Sequence, residues 1–198
     1  MSNIHYASSY KNKIINLLLK NDNFIKLINP VKSEHPELDI IDVLLGGKWI
    51  IHGEEVIEQG HVFDYDFVGD TTTEEKTFVF VETDIPSISK NTFTSFTFYI
   101  CVFSEKGLVR ISDATSPTVK EVKEMGCYAG RRANRVDTLC EIIDKTLNGN
   151  VKISGIGTIR PTERNHCTIY KPNSNYYGKC LRYTVTNLNE IEGDCFDK

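Results

Sequence analysis

The chain has 198 residues, 40% of them apolar and 25% charged, with a formal net charge of −4, enough for one substantial core and too little for two domains of ordinary size. The acidic balance excludes a surface given over to coating nucleic acid, which requires a clustered basic excess, and leaves room only for a local basic patch. The apolar and aromatic content excludes wholesale disorder, and no apolar run approaches the ~20 residues needed to cross a bilayer.

The opening residues, MSNIHYASSYKNK, lack the apolar core of a signal peptide, so the expectation is a protein made and used in cytosol. Ser8 to Lys20 predicts a first helix with Ile14, Leu17 and Leu18 on one side and Ser8 or Ser9 as its cap. Asn21-Asp22-Asn23 interrupts it. Asp22 or Asn23 then caps a short helix through FIKLIN that Pro30 closes, and Ser33 to Leu45 predicts a third, stopped by Gly46-Gly47. Lys48 to His52, KWIIH, reads as a strand, followed by a polar connection from Gly53 to Gly60. Its Trp49, the only tryptophan, is expected as a core or subunit-contact anchor.

His61 to Val68 alternates as a half-buried strand that sets Asp64 and Asp66 on one face. Two strong strands follow, Lys76 to Thr83 and Thr92 to Phe103, separated by the breakers Pro86 and Asn91. The second is apolar on both faces near its end, which predicts burial on both sides. Ser104 to Gly107 then turns the chain into Leu108 to Ile111, expected to complete a hairpin.

The clearest helix runs from Arg131 to Asn148, where Val136, Leu139, Cys140, Ile143 and Leu147 form one apolar stripe, Glu141 precedes Lys145 by one turn, and Asn148-Gly149-Asn150 ends it. Arg131, Arg132 and Arg135 stand at its start, where the helix dipole disfavours cations, so either a phosphate or carboxylate partner, such as a neighbouring subunit, holds them or they are solvated and paired with nearby acids such as Asp137. Beyond it, VKISGIGTI and CLRYTVTNL read as strands closing the edge of the sheet, the latter with Leu181, Tyr183 and Val185 inward. Between them lies a polar loop, Pro161 to Lys179, with room for a short HCTIY strand and with Tyr176-Tyr177 as a contact surface. The tail after Asn189 is acidic. The whole is expected as a single α+β domain over 1–198: N-terminal helices over 1–47, then an antiparallel or mixed β-sheet with the central amphipathic helix over 48–188.

No motif for chemistry stands out. The six cysteines (Cys101, Cys127, Cys140, Cys167, Cys180 and Cys195) include no CxxC pair and read as reduced thiols that pack as small hydrophobes; Cys167, Cys180 and Cys195 with His166 lack the paired spacing of a zinc site. The sequence GIG at Gly155 to Gly157 lies in a strand, AGRRANR lacks phosphate-loop spacing, and no HExxH occurs. Adjacency of His166 and Cys167 does not supply nucleophile geometry. Asp64, Asp66 and Glu82 would be the acids of a metal-dependent enzyme, but ETD lacks the lysine such a nuclease needs, so the expectation is no enzyme, no metal and no cofactor.

The order of N-terminal helices, KTFVFVET, FTSFTFYICVF, the NRVD helix to Asn148-Gly149, Gly155-Ile156-Gly157 and YYGKCLRYTV resembles the tail-terminator and tail-completion (neck) proteins of long-tailed bacteriophages, over about Lys76 to Leu188. The resemblance implies a structural virion protein, assembled in the host cytoplasm, whose ring, commonly a hexamer, caps the tail tube and joins it to the head-neck connector. It implies no catalytic residue, and contact with DNA only as it passes through the channel. Arg131, Arg132, Arg135, Tyr176, Tyr177 and Trp49 are then the expected subunit or partner contacts. Another neck or adaptor ring is the alternative within the same class.

Overall fold

The computed structural model describes residues 5–28, 49–52, 55–58, 60–66, 76–89, 92–111, 133–148, 152–153 and 157–186. The expected helix over Ser33 to Leu45, the acidic tail, and Arg131 and Arg132 lie outside these residues. Helix α1 spans His5–Leu18 and α2 Asp22–Ile28. The first begins earlier than expected, so Ser8 and Ser9 lie within its exposed side and do not cap it. At α2 the cap is Asn21, one residue before the expected position: its Oδ1 accepts from the amides of Asn23 at 3.1 Å and Phe24 at 3.3 Å.

Strand β1 (Trp49–His52) pairs antiparallel with β2 (Glu55–Glu58), so the stretch read as a polar connection returns as a hairpin strand. Strand β3 is only Val62–Phe63, both buried, and it runs parallel to β4 (Thr77–Ser89). The alternation through Asp64 and Asp66 therefore does not continue as a strand. The β4 ladder to β5 (Thr92–Glu105) is antiparallel and shifts register between Asp84 and Ser87, where Pro86 supplies no N–H.

Strand β6 (Arg110–Ile111) pairs with β7 (Ala133–Asn134), which corrects the expected return of this stretch onto β5. Helix α3 spans Arg135–Leu147. Then come β8 (Lys152–Ile153), β9 (Gly157–Pro161), β10 (Cys167–Tyr170) and β11 (Tyr176–Thr186). The main sheet is mixed, in the order β3-β4-β5-β11-β9-β8, with β10 also paired to β11. Strand β11 is thus internal and not a closing edge: β5 holds one side, while β10 and β9 share the other along its first and second halves.

Period-two alternation sorts the strands onto two cores. Toward the helices point Val79, Val81, Phe96, Phe98, Ile100, Val102, Leu181, Tyr183 and Val185, which pack with Ile14, Leu18, Phe24 and Leu27 and with the α3 stripe of Val136, Leu139, Cys140, Ile143 and Leu147. On the opposite face Phe63, Phe78, Phe80, Cys101, Phe103, Tyr176 and Cys180 form a second cluster, so β5 is buried on both faces as its composition predicts. Edge-to-face and stacked rings hold that cluster, with Phe103 lying 5.3 Å from Phe78 and 5.6 Å from Tyr176 between centroids. The fold is α+β.

Candidate functional site: a polar seam between the central helix and an edge strand

Asn134 starts α3. Its Oδ1 accepts from the amides of Val136 at 3.0 Å and Asp137 at 3.2 Å, which fixes the helix entrance three residues after the arginine pair. With the apolar stripe set on the sheet, the flank of the helix at Asp137, Cys140 and Asp144 is carried over β10 and β11, because i, i+3 and i+7 lie along one side.

Each of these three positions meets a strand residue. Asp137 pairs with Lys179 at 2.8 Å, a contact that holds the Lys179 ammonium above its usual range. One Asp144 oxygen accepts from the Tyr183 hydroxyl at 2.9 Å and from His166 Nε2 at 3.0 Å. His166 Nδ1 lies 2.8 Å from the Arg182 carbonyl, so both ring nitrogens face acceptors and together hold the start of β10 against α3 and β11. Burial first, and then the Asp144 carboxylate, pushes the Tyr183 hydroxyl far above the phenol range. This trio, tied in turn to the Arg182 carbonyl and to Asn148, acts as a latch. Replacing Asp144 with alanine leaves a buried hydroxyl without its acceptor, and we expect a loss of about 2 kcal/mol in urea unfolding. Glu141→Ala, which breaks only an exposed one-turn pair with Lys145, should change stability by less than about 0.5 kcal/mol.

Between the two anchored acids sits Cys140, buried, in hydrogen-bonding contact with the exposed Cys167. That contact holds the Cys167 thiol down to about 6, with Lys179 and His166 acting in the same direction against burial. The same contact, together with burial, pushes the Cys140 thiol up. Cys180 lies on the opposite face: on β11 it stands directly opposite Cys101 of β5 in the aromatic cluster, which separates it from Cys167 by the thickness of the sheet. Among the described residues no group of three or more His, Cys, Asp or Glu side chains converges as a metal site does. Of the acids considered for metal, Glu82 pairs with Lys11 at 2.7 Å and Asp66 accepts from the Tyr170 hydroxyl at 3.1 Å.

The contact residues expected from sequence separate. Arg135 is only 4% exposed; its Nε donates to the Leu108 carbonyl at 2.9 Å and an Nη to the Leu27 carbonyl at 2.7 Å, so it faces the chain's own interior and no external anion. Burial lowers its pKa from the usual guanidinium value. Tyr176 is likewise buried, in the second aromatic cluster, which corrects its place as a contact; Tyr177 is half-buried against the main core. Trp49 lies in β1, and its side chain is outside the described positions. What sequence reasoning missed is the outward Ile169 of β10, 67% exposed, and the seam itself. The seam's signal was present in the spacing of Asp137, Cys140 and Asp144, of which Cys140 reads from sequence as part of the apolar stripe and Asp144 as a residue outside it.

No helix among the described residues is long and apolar enough to cross a membrane. No curated protein and no solved structure matches the chain. A family model, YomW, matches residues 12–185, a span that takes in the second half of α1, α2, α3, the seam and the sheet up to Val185 of β11. With that span matched, the chain belongs to the YomW family, a phage-derived family, and is a phage-associated protein.

Proposed function

We propose that this chain is a non-enzymatic structural subunit of a phage particle, assembled in the host cytoplasm, that closes into a ring of the tail-terminator kind between tail tube and head-neck connector. The observation that carries the reading is the match of a phage-derived family across the α+β core. Two features of the fold support it. Side chains of α3 are tied to β11 and to the residue that precedes β10, as suits a rigid building block. Among the described strands β10 pairs with β11 alone, and it carries an isoleucine that is 67% exposed. An edge strand with an outward apolar side chain is the kind of surface that a second copy covers.

The test is the mass of the purified full chain in solution, followed by negative-stain images of the same sample with and without tail tube. Closed rings, hexamers above all, support the terminator reading; rings of another order transfer it to a different neck component. A monomer at high concentration that stays monomeric with tail tube overturns it. Ile169→Asp should dissociate the ring, because the new carboxylate would be desolvated at the contact. The monomer should keep its unfolding midpoint, since the side chain is largely outside the fold.

A further inference from the structure

The seam holds two thiols that the ring reading does not use. Helix geometry fixes where Cys140 must lie. Asp137, one turn before it, is tied to Lys179 of β11 at 2.8 Å, and Asp144, one turn after it, is tied to His166 at 3.0 Å, the residue preceding β10. The position between these anchors falls over the first residue of β10. Register gives the same answer from the strands: Cys167 stands opposite Leu181, whose side chain is in the helix-side core, so Cys167 shares that face and is directed at α3. The anchors and the register thus set the two thiols facing each other across the seam, one buried and one open to solvent.

We propose that Cys167 and Cys140 are a peroxide-sensitive dithiol, in which Cys167 is the attacking thiol, Cys140 the resolving thiol, and the product a disulfide that staples β10 to the central helix. The groups facing Cys167 suit the first step. Lys179 from β11 and His166, just before β10, favour the thiolate, Asp137 of α3 opposes it, and the Cys140 thiol donates to it. The Cys167 sulfur attacks one oxygen of hydrogen peroxide, the O–O bond breaks, and the departing hydroxide takes up a proton as water, leaving a sulfenic acid. The Cys140 sulfur then attacks the Cys167 sulfur, the S–O bond breaks, and hydroxide leaves with the Cys140 proton as a second water. Two thiols are oxidised to one disulfide and one peroxide is reduced to two waters. Cys101 and Cys180 form the contrasting pair: they stand directly opposite each other on β5 and β11, but both are buried among aromatic rings, where peroxide does not reach.

The experiment treats the full native chain with hydrogen peroxide, alkylates the remaining thiols after denaturation, and maps the peptides by mass. The expected result is a linked pair of peptides carrying Cys140 and Cys167, lighter by two hydrogens and separated by dithiothreitol, with Cys101 and Cys180 alkylated. In Cys140→Ser the same treatment should leave a sulfenic acid at Cys167 that dimedone traps. A link joining other cysteines, or Cys140 and Cys167 both recovered as free thiols, overturns the proposal. A second readout is independent of oxidation. The rate of Cys167 alkylation by iodoacetamide in the native chain should be half-maximal near pH 6, falling as pH drops below it because the thiol is protonated, and Cys140→Ala, which removes the donor, should move the midpoint upward. A midpoint near the ordinary thiol value in the native chain, or one that Cys140→Ala leaves in place, removes the basis for the pairing. Neither readout depends on ring formation, so the two proposals fail separately.

Discussion

Arg135→Met should lower the free energy of unfolding by about 3–5 kcal/mol, among the largest losses for any single polar side chain in this fold. The methionine keeps much of the volume while removing two charge-assisted donors, each worth about 1.5–3 kcal/mol, and it leaves the Leu108 and Leu27 carbonyls unanswered in the interior. The second of those carbonyls belongs to the last turn of α2, where helix carbonyls have no partner of their own and the dipole is negative. Arg135 therefore caps α2 from the first residue of α3. Its own amide donates to the Val109 carbonyl at 2.8 Å, so one residue binds α2, the turn after β5, and α3 together. Arg135→Lys, with a single ammonium in place of the planar fork, should recover part of the loss and not all of it. Urea denaturation of the full chain measures both. A change below about 1 kcal/mol for Arg135→Met would show that the guanidinium matters little to the fold and would return it to the list of partner contacts.

This residue also marks how far sequence reasoning reached. The dipole argument was sound in that a cation at the start of a helix needs a reason to be there. The reason is a pair of backbone carbonyls from distant segments, that of Leu108, 27 residues earlier in the chain, and that of Leu27, 108 residues earlier. No local pattern announces such partners. The apolar stripe of α3 was legible because every member of it is buried, and so was the two-sided burial of β5, since both depend on periods within one segment. What stayed hidden depends on pairing across the chain. The parallel partner of β3, the pairing of β6 with β7, and the division of one side of β11 between β9 and β10 are matters of register at long range. The seam was hidden for a related reason. Asp137 and Asp144, beside the apolar stripe, announce no partner until Lys179, His166 and Tyr183 arrive from segments that follow the helix.

Gly178→Ala should cost about 3 kcal/mol, although it adds one methyl group to a strand that otherwise favours substituted residues. The hydrogen bond from the Lys106 amide to the Asn175 carbonyl, at 3.0 Å, sets the phase of the β5–β11 ladder, and in that phase Gly178 faces Phe103 as a non-hydrogen-bonded pair, the closer kind. A Cβ at position 178 would lie 2.5 Å from the Phe103 Cβ, 2.5 Å from the Val102 carbonyl oxygen and 3.0 Å from the Phe103 Cα. Two of these three atoms are backbone, so no rotamer change relieves the contact; β11 must move away from β5. That movement would carry Lys179 and Tyr183 with it and loosen their grip on Asp137 and Asp144 of α3. A double-mutant cycle separates the causes. If the backbone is the obstacle, Gly178→Ala should cost nearly as much in a Phe103→Ala background as in the native chain. If the cost disappears there, the ring was the obstacle and the close approach of the two strands is not what requires glycine. The same displacement should also expose Cys140, so its alkylation in the native state should quicken in Gly178→Ala and remain slow in Glu141→Ala, where the seam is intact.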